Sequence, residues 1–347
     1  MFPSERAIRS GFVWALLAAA SFGATTPLVQ RFGRGVGPFG TAALLYVGAA
    51  LVALVTRRRA SEEAPLLGSH VPRLMAMALA GAVVAPAALA WGLQRTNGLS
   101  ASLALNLEAV FTTALGWLLY REHVGRRIAL ALALMTTGGI LLVLGRAQEG
   151  TAQLAGLIAV TAATLAWGLD NALSNAVASL DPAKVVLAKA SLGALASVIL
   201  AFAFDERLPP RASSIGLLMC GATGYGLSLR LYLLAQRRVG AARTASIFAI
   251  APFIAAGVAI GFGEPWGGWS TGVALVPMLV GLGLHLTERH AHPHRHRPLT
   301  HEHAHRHDDL HHDHIHDPRV EGVHSHEHTH EPIEHDHAHM PDPHHDH

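Results

Sequence analysis

Charge is scarce in this chain of 347 residues. Only 14% of them are Asp, Glu, Lys or Arg while 51% are hydrophobic, against roughly a quarter charged in an ordinary soluble domain. A single cysteine, Cys220, rules out an intramolecular disulfide and leaves the redox compartment unreadable. There is no GxxxxGK[ST] phosphate loop, which argues against ATP-driven work by this chain alone. A GxSxG elbow, a DDxxD-like cluster and paired helix histidines are absent as well, so the expectation is no enzyme. Nothing in the chain points to nucleic acid.

What is present is a set of long apolar runs separated by short arginine clusters, the pattern of membrane-spanning helices. Ten segments are predicted, at about 11–31, 36–56, 73–93, 99–120, 126–144, 154–177, 183–204, 213–235, 241–262 and 268–287. They are rich in Ala, Gly, Leu and Val, and small residues let helix backbones approach closely where lipid gives no hydrophobic drive for association. The basic start followed by Gly11–Ala24 has the outline of a signal peptide, but the apolar run continues past Pro27 and is echoed later, so it is expected to stay as a helix. With the N-terminus inside, short inner segments hold thirteen Lys and Arg against six outside. The positive-inside rule then places both termini in the cytoplasm.

The chain is also internally repetitive. Leu105–Glu122 is apolar for most of its length and ends in Arg121-Glu122; a degenerate copy runs from Ile247 to Glu264. Glu122/Glu264 and Gly139/Gly281 share an offset of 142, and Gly11/Gly156 and Gly23/Gly168 share one of 145. Nearly equal offsets across five segments describe a five-helix unit used twice. Five is odd, so the second unit must cross the membrane upside down. The expected fold class is therefore all-α and polytopic: ten transmembrane helices as two inverted five-helix repeats, residues 10–145 and 154–287, plus a disordered tail over 290–347. In such a repeat the substrate site lies where the halves meet, near the bilayer midplane.

Residues Asn97–Gly145, with NGLSASLALNLEAVFTTALGWLLYREHVGRR and then ALMTTGGILLVLG, resemble the end of an EamA-type domain of the drug/metabolite transporter superfamily. Ala241–Leu284 resembles the same end of a second such domain, and Arg31–Arg59, with Pro38 and the closing arginines, is similar to the family's second helix. The resemblance implies a ten-helix secondary carrier of the bacterial inner membrane that moves small solutes, commonly outward. It departs from the pattern at helix four, where Ala109 follows Glu108 and no proline is present, while the second copy keeps Pro252. Helix four is accordingly expected to be the straighter of the two.

An ionisable group inside the bilayer is costly, so each one needs a partner or a job. Glu108 lies near the middle of helix four, with Asn106 before it and Thr112 one turn after. It could carry a coupling proton or touch substrate; the plainer alternative is a hydrogen-bonded group facing a neighbouring helix. Asp170, beside Asn171, and Lys189 fall at similar depth on consecutive antiparallel helices, which predicts an ion pair. Lys189 could instead snorkel to the inner interface, as could Arg230. Thr25 and Thr26 occupy the repeat positions of Asp170 and Asn171, so the polar patch recurs but is charged once. Glu122 and Glu264 read as helix boundaries.

The last 58 residues hold 22 of the 25 histidines, mostly as His-x-His interleaved with Asp and Glu. Such a segment cannot bury a core. Neutral imidazole is the usual ligand of zinc, nickel, cobalt and copper(II), which makes His301, His303, His305, His307, His324, His326, His328 and His330 candidate metal ligands. No bound cofactor is required. HEHAH and HEHTH match HExxH only formally, since that motif needs a rigid helix and a cleft.

Together these features predict a secondary carrier with lipid and a small solute as partners and a proton as coupling ion. Its route is lined by Glu108, Asn106, Thr25, Thr26, Asp170, Asn171 and Lys189. The tail alone favours a divalent transition metal or metal chelate as cargo. Two alternatives stay open: an exporter of an organic metabolite or amino acid whose tail buffers or senses metal, and a membrane-anchored metal store without transport.

Overall fold

A computed structural model describes residues 5–56, 68–120, 124–147, 150–174, 182–239, 241–287, 291–295, 299–305, 324–330 and 334–338. Ten helices in it are long and apolar enough to cross a membrane. In chain order they are α1 (Arg9–Phe32), α2 (Pro38–Thr56), α3 (Val71–Leu93), α4 (Gly98–Tyr120), α5 (Arg126–Arg146), α6 (Thr151–Ser174), α7 (Ala183–Ala203), α8 (Arg211–Ala235), α9 (Thr244–Gly261) and α10 (Gly268–Leu286). The outer surface is apolar, as a lipid-facing surface must be: Leu118, Phe202, Leu208 and Trp269 are each more than 60% exposed. The chain is thus an integral membrane protein.

Contacts between the halves come in matched pairs. Helix α1 packs on α8 and α9, as α6 packs on α3 and α4; α2 packs on α8, as α7 packs on α3. Apart from a smaller contact between the consecutive helices α5 and α6, the remaining contacts, α2 with α7, α4 with α9 and α5 with α10, each join a helix to its own counterpart. Exchanging the first five helices for the last five maps this set onto itself. Small residues make the crossings. A Cβ on Gly48 or Gly221 would strike the facing backbone of α8 or α2, and one on Gly138 or Gly281 would strike α10 or α5.

The backbone irregularities are duplicated too. In α3 the helix widens over Ala78–Val84, where the Ala85 N–H reaches back five residues to Ala80 O. In α8 it widens over Gly221–Leu227, with the Ser228 N–H on Thr223 O. Such single wide turns recur at functional sites. Helices α4 and α9 are each interrupted, at Leu105-Asn106 and at Ala249-Ile250. Both breaks tighten to i→i−3 bonds, Asn106 N to Leu103 O at 3.1 Å and Ile250 N to Ile247 O at 3.2 Å. Helix four is therefore interrupted although it carries no proline. Proline is not needed there, because the Asn106 amide donates to Leu103 O at 3.0 Å and competes with the helical ladder.

Beyond α10 the described tail residues form two separate antiparallel ladders. β1 (Ala291–Arg295) pairs with β4 (Glu334–Ala338), and β2 (Leu299–His305) pairs with β3 (His324–His330). The sequence reading did not anticipate this pairing, although His-x-His alternation has the two-residue period of a strand. Neither ladder alternates apolar with polar residues, so these described residues have no apolar face to bury, and an isolated two-stranded ladder is marginal in water.

Candidate functional site

The interruption of α4 begins a new helical segment at Leu107, with Glu108 in its first turn. A helix start favours a carboxylate there, because its N–H groups lack helical acceptors and its dipole is positive. Glu108 faces α6. Gly168 lets the two helices close in, since a Cβ at that position would overlap Phe111 and the Thr112 backbone. The Asn171 amide then donates to Glu108 Oε1 at 3.0 Å and to Thr112 Oγ1 at 3.4 Å. Asn171 remains accessible, so this bond lies on an open face between the halves.

Next to it on α6, Asp170 forms the expected ion pair with Lys189 of α7. Asp170 is only 3% exposed and packs against Gly81, in the wide turn of α3, where any Cβ would overlap its carboxylate. Its Oδ1 has no hydrogen-bond partner among the described residues. Thr25 makes the equivalent contact in the other half: it packs against Gly224 in the wide turn of α8 and donates from Oγ1 to Ser21 O at 2.7 Å. Thr25 and Thr26 are both buried. The structure thus brings Glu108 to Asn171 and Asp170 to Lys189, while Thr25 and Thr26 stay on α1 with Thr25 at the α1–α8 contact. Asn106 is buried at the α4 break, with its amide turned to its own backbone. Arg230 donates to Thr56 O at 2.6 Å, which ties α8 to the end of α2. Glu122, His307 and Asn175 lie outside the described residues, as do the side chains of the other tail histidines.

Sequence reasoning missed the aromatic wall. Phe22 of α1 meets Trp167 of α6 at a centroid distance of 6.2 Å, Tyr225 of α8 at 5.8 Å and Phe248 of α9 at 5.5 Å. Tyr46 of α2 meets Tyr225 at 5.7 Å, and Tyr232 meets Phe248 at 5.2 Å. Five helices from both halves contribute rings to one cluster. A signal was available: the chain has four tyrosines, and two of them, Tyr46 and Tyr225, fall inside apolar segments well away from helix ends. Trp167 joins this cluster to the polar group, because Trp167 and Asn171 stand one turn apart on the same face of α6.

One carboxylate, an amide, a hydroxyl and a set of π faces suit a small organic solute that carries positive charge. They do not suit a bare metal ion: no group of three or more His, Cys, Asp or Glu able to hold one occurs among the described residues. A separate groove of about 400 Å³ between α2 and α7, lined by Val47, Leu51, Leu54, Leu187 and Ala194, is apolar apart from Ser191 and opens outward. It has none of the site's chemistry.

A model of the EamA-like transporter family matches residues 9–144 and again residues 154–287. A curated protein described as an uncharacterized transporter, from Methanothermobacter thermautotrophicus, is 27% identical over 213 residues, which are 57% of this chain and 60% of that one. The match therefore spans less than two thirds of that relative. A protein of solved crystal structure shares the fold with a TM-score of 0.57 at 16% identity, over 81% of this chain and 97% of the other.

Proposed function

The chain belongs to the EamA-like transporter family, and from that premise we propose a secondary carrier that exports a small, amine-bearing organic solute against protons taken up on Glu108. The Asn171–Glu108 hydrogen bond between α6 and α4 carries this reading. It places the carboxylate of an interrupted helix on the seam of the two halves, one helical turn from the aromatic wall. A proton and an ammonium group are then alternative ways to neutralise one half-buried negative charge. The two five-helix units are read as inverted copies that rock about this seam. The matched helix contacts and the duplicated wide turns and breaks support that relation. The arginine distribution supports cytoplasmic termini, and the family resemblance a bacterial inner membrane.

The histidine count of the tail favours one second reading, in which the organic cargo chelates a divalent transition metal and the tail receives or buffers that metal. Zinc, nickel, cobalt and copper(II) fit its imidazoles.

Flux into proteoliposomes decides between these. The probes are tyramine, and nickel, cobalt and zinc given free and as histidine chelates, with and without a pH gradient. Tyramine flux driven by the gradient, and lost at least tenfold in Glu108→Gln, is the expected result. Flux that keeps its proton dependence in Glu108→Gln removes Glu108 as coupling group. Flux of a chelate but not of tyramine selects the second reading.

A further inference from the structure

Gly81 lies in the middle of the wide turn of α3, where each N–H reaches back five residues. Ala85 donates to Ala80 O, and the next donor in that register, residue 86, is Pro86, which has no N–H. The Gly81 carbonyl is left without a helical donor in a buried place, which is unfavourable unless another group supplies the bond. Two side chains supply it. The Tyr46 hydroxyl of α2 donates to it at 2.5 Å, and the Trp167 indole N–H of α6 donates at 3.0 Å. These two bonds fill both lone pairs of the oxygen. One donor belongs to the first half of the molecule and the other to the second.

The second half does not repeat the arrangement. Its wide turn in α8 contains no proline, and Leu229 has the N–H that residue 86 lacks. Phe22 stands at the repeat position of Trp167 and has no N–H to give. The device is built once, on the half that also holds Glu108. Its Trp167 is one turn from Asn171, so whatever fixes the rotation and depth of α6 at Trp167 also fixes the bond from Asn171 to Glu108.

We propose that Trp167 is a positioning residue of the transport site, held by the Gly81 carbonyl that Pro86 sets free, and that this bond aligns the Asn171–Glu108 pair and the aromatic wall. The affinity readout rests on the carrier reading above; the spectroscopic one does not.

Pro86→Ala and Trp167→Phe test the proposal, singly and together, in purified full-length protein. Pro86→Ala adds a third donor to an oxygen with two lone pairs, and the longer bond, from Trp167, is the one displaced. Three measurements are made: tyramine affinity, melting temperature, and the 19F resonance of Trp167 in 5-fluorotryptophan-labelled protein, assigned by its absence in Trp167→Phe. Pro86→Ala is expected to move that resonance and weaken tyramine binding about tenfold without lowering the melting temperature. Trp167→Phe is expected to weaken binding to a similar extent, and the double variant no further, because the same bond is lost in each. A resonance that stays in place in Pro86→Ala overturns the proposal, and so do binding losses that multiply in the double variant. If the native protein binds no tyramine, the proposed cargo fails, and the resonance alone decides the positioning role.

Discussion

The two halves share a backbone and differ in chemistry, and the difference locates the working side. Each half has a helix with a wide turn centred on glycine, followed by a helix that breaks and restarts. Each wide turn receives a side chain from the opposite half. Gly81 receives Asp170 with its Lys189 partner, and Gly224 receives Thr25. After the breaks, Glu108 follows Asn106 in one half, while the other continues through Ala251 and Pro252. The charges inside the membrane thus gather at one of the two wide turns, Asp170 and Lys189 from one half near Glu108 from the other, where the equivalent positions carry a hydroxyl and an apolar group. A fold that needed the charges for packing would carry them twice; here Thr25 fills the same place without one.

The largest test of that contrast is Lys189→Ala. It leaves the Asp170 carboxylate buried without its cation, and breaking a buried pair by removing one partner costs on the order of 3–5 kcal/mol. Thermal unfolding in detergent should show the loss. The double variant Asp170→Thr/Lys189→Ala gives the first half's wide turn the neutral contact that the second half already has, and should recover most of the stability. If the double variant is as unstable as the single one, the ion pair is part of the packing and the halves are not equivalent there.

Glycine substitutions come next. Alanine at Gly81 or at Gly224 intrudes on the side chain facing it, Asp170 or Thr25. Overpacking of this kind costs about 1–3 kcal/mol, so both variants should melt lower by comparable amounts. Transport should separate them. Gly81→Ala displaces the neighbour of Asn171 and should reduce flux several-fold more than Gly224→Ala, which acts on the neutral side. Equal flux losses would mean that the site does not favour one of the two wide turns.

The ten spans were legible because length and apolar composition nearly suffice for a membrane helix, and the ion pair because Asp170 and Lys189 fall at matching depths on antiparallel neighbours. The duplication showed in glycine and glutamate offsets. The irregular backbone was not legible. Nothing local in Ala78–Val84 announces a turn with i→i−5 bonds, and the rule that proline breaks helices failed in both directions. Helix α4 breaks without proline through the Asn106 amide, and Pro27 lies inside a continuous α1. The aromatic wall was hidden for another reason. Phe22, Tyr46, Trp167 and Tyr225 come from four helices, and only the packing of the halves brings them together.

The smallest effect on stability, and the sharpest on coupling, should come from Asn106→Ala. Asn106 is 2% exposed; its amide makes one bond to Leu103 O, while its Oδ1 has no partner among the described residues. Truncation removes a bond worth about 1 kcal/mol and also removes a buried acceptor without a donor, which is unfavourable by about 1–3 kcal/mol. The two nearly offset, so the melting temperature should hardly move. The break that the amide maintains is a different matter. Without it the i→i−4 ladder can close through residues 105 and 106, and Glu108 then rotates away from Asn171, two residues downstream of the repaired turn. Proton-driven flux should fall several-fold while the fold is retained. The second half offers the control, because Ile250 has no side-chain bond to lose and Pro252 enforces its break. Ile250→Ala should leave coupling as it was, and a parallel drop in both variants would show that the break in α4 is held by packing rather than by Asn106.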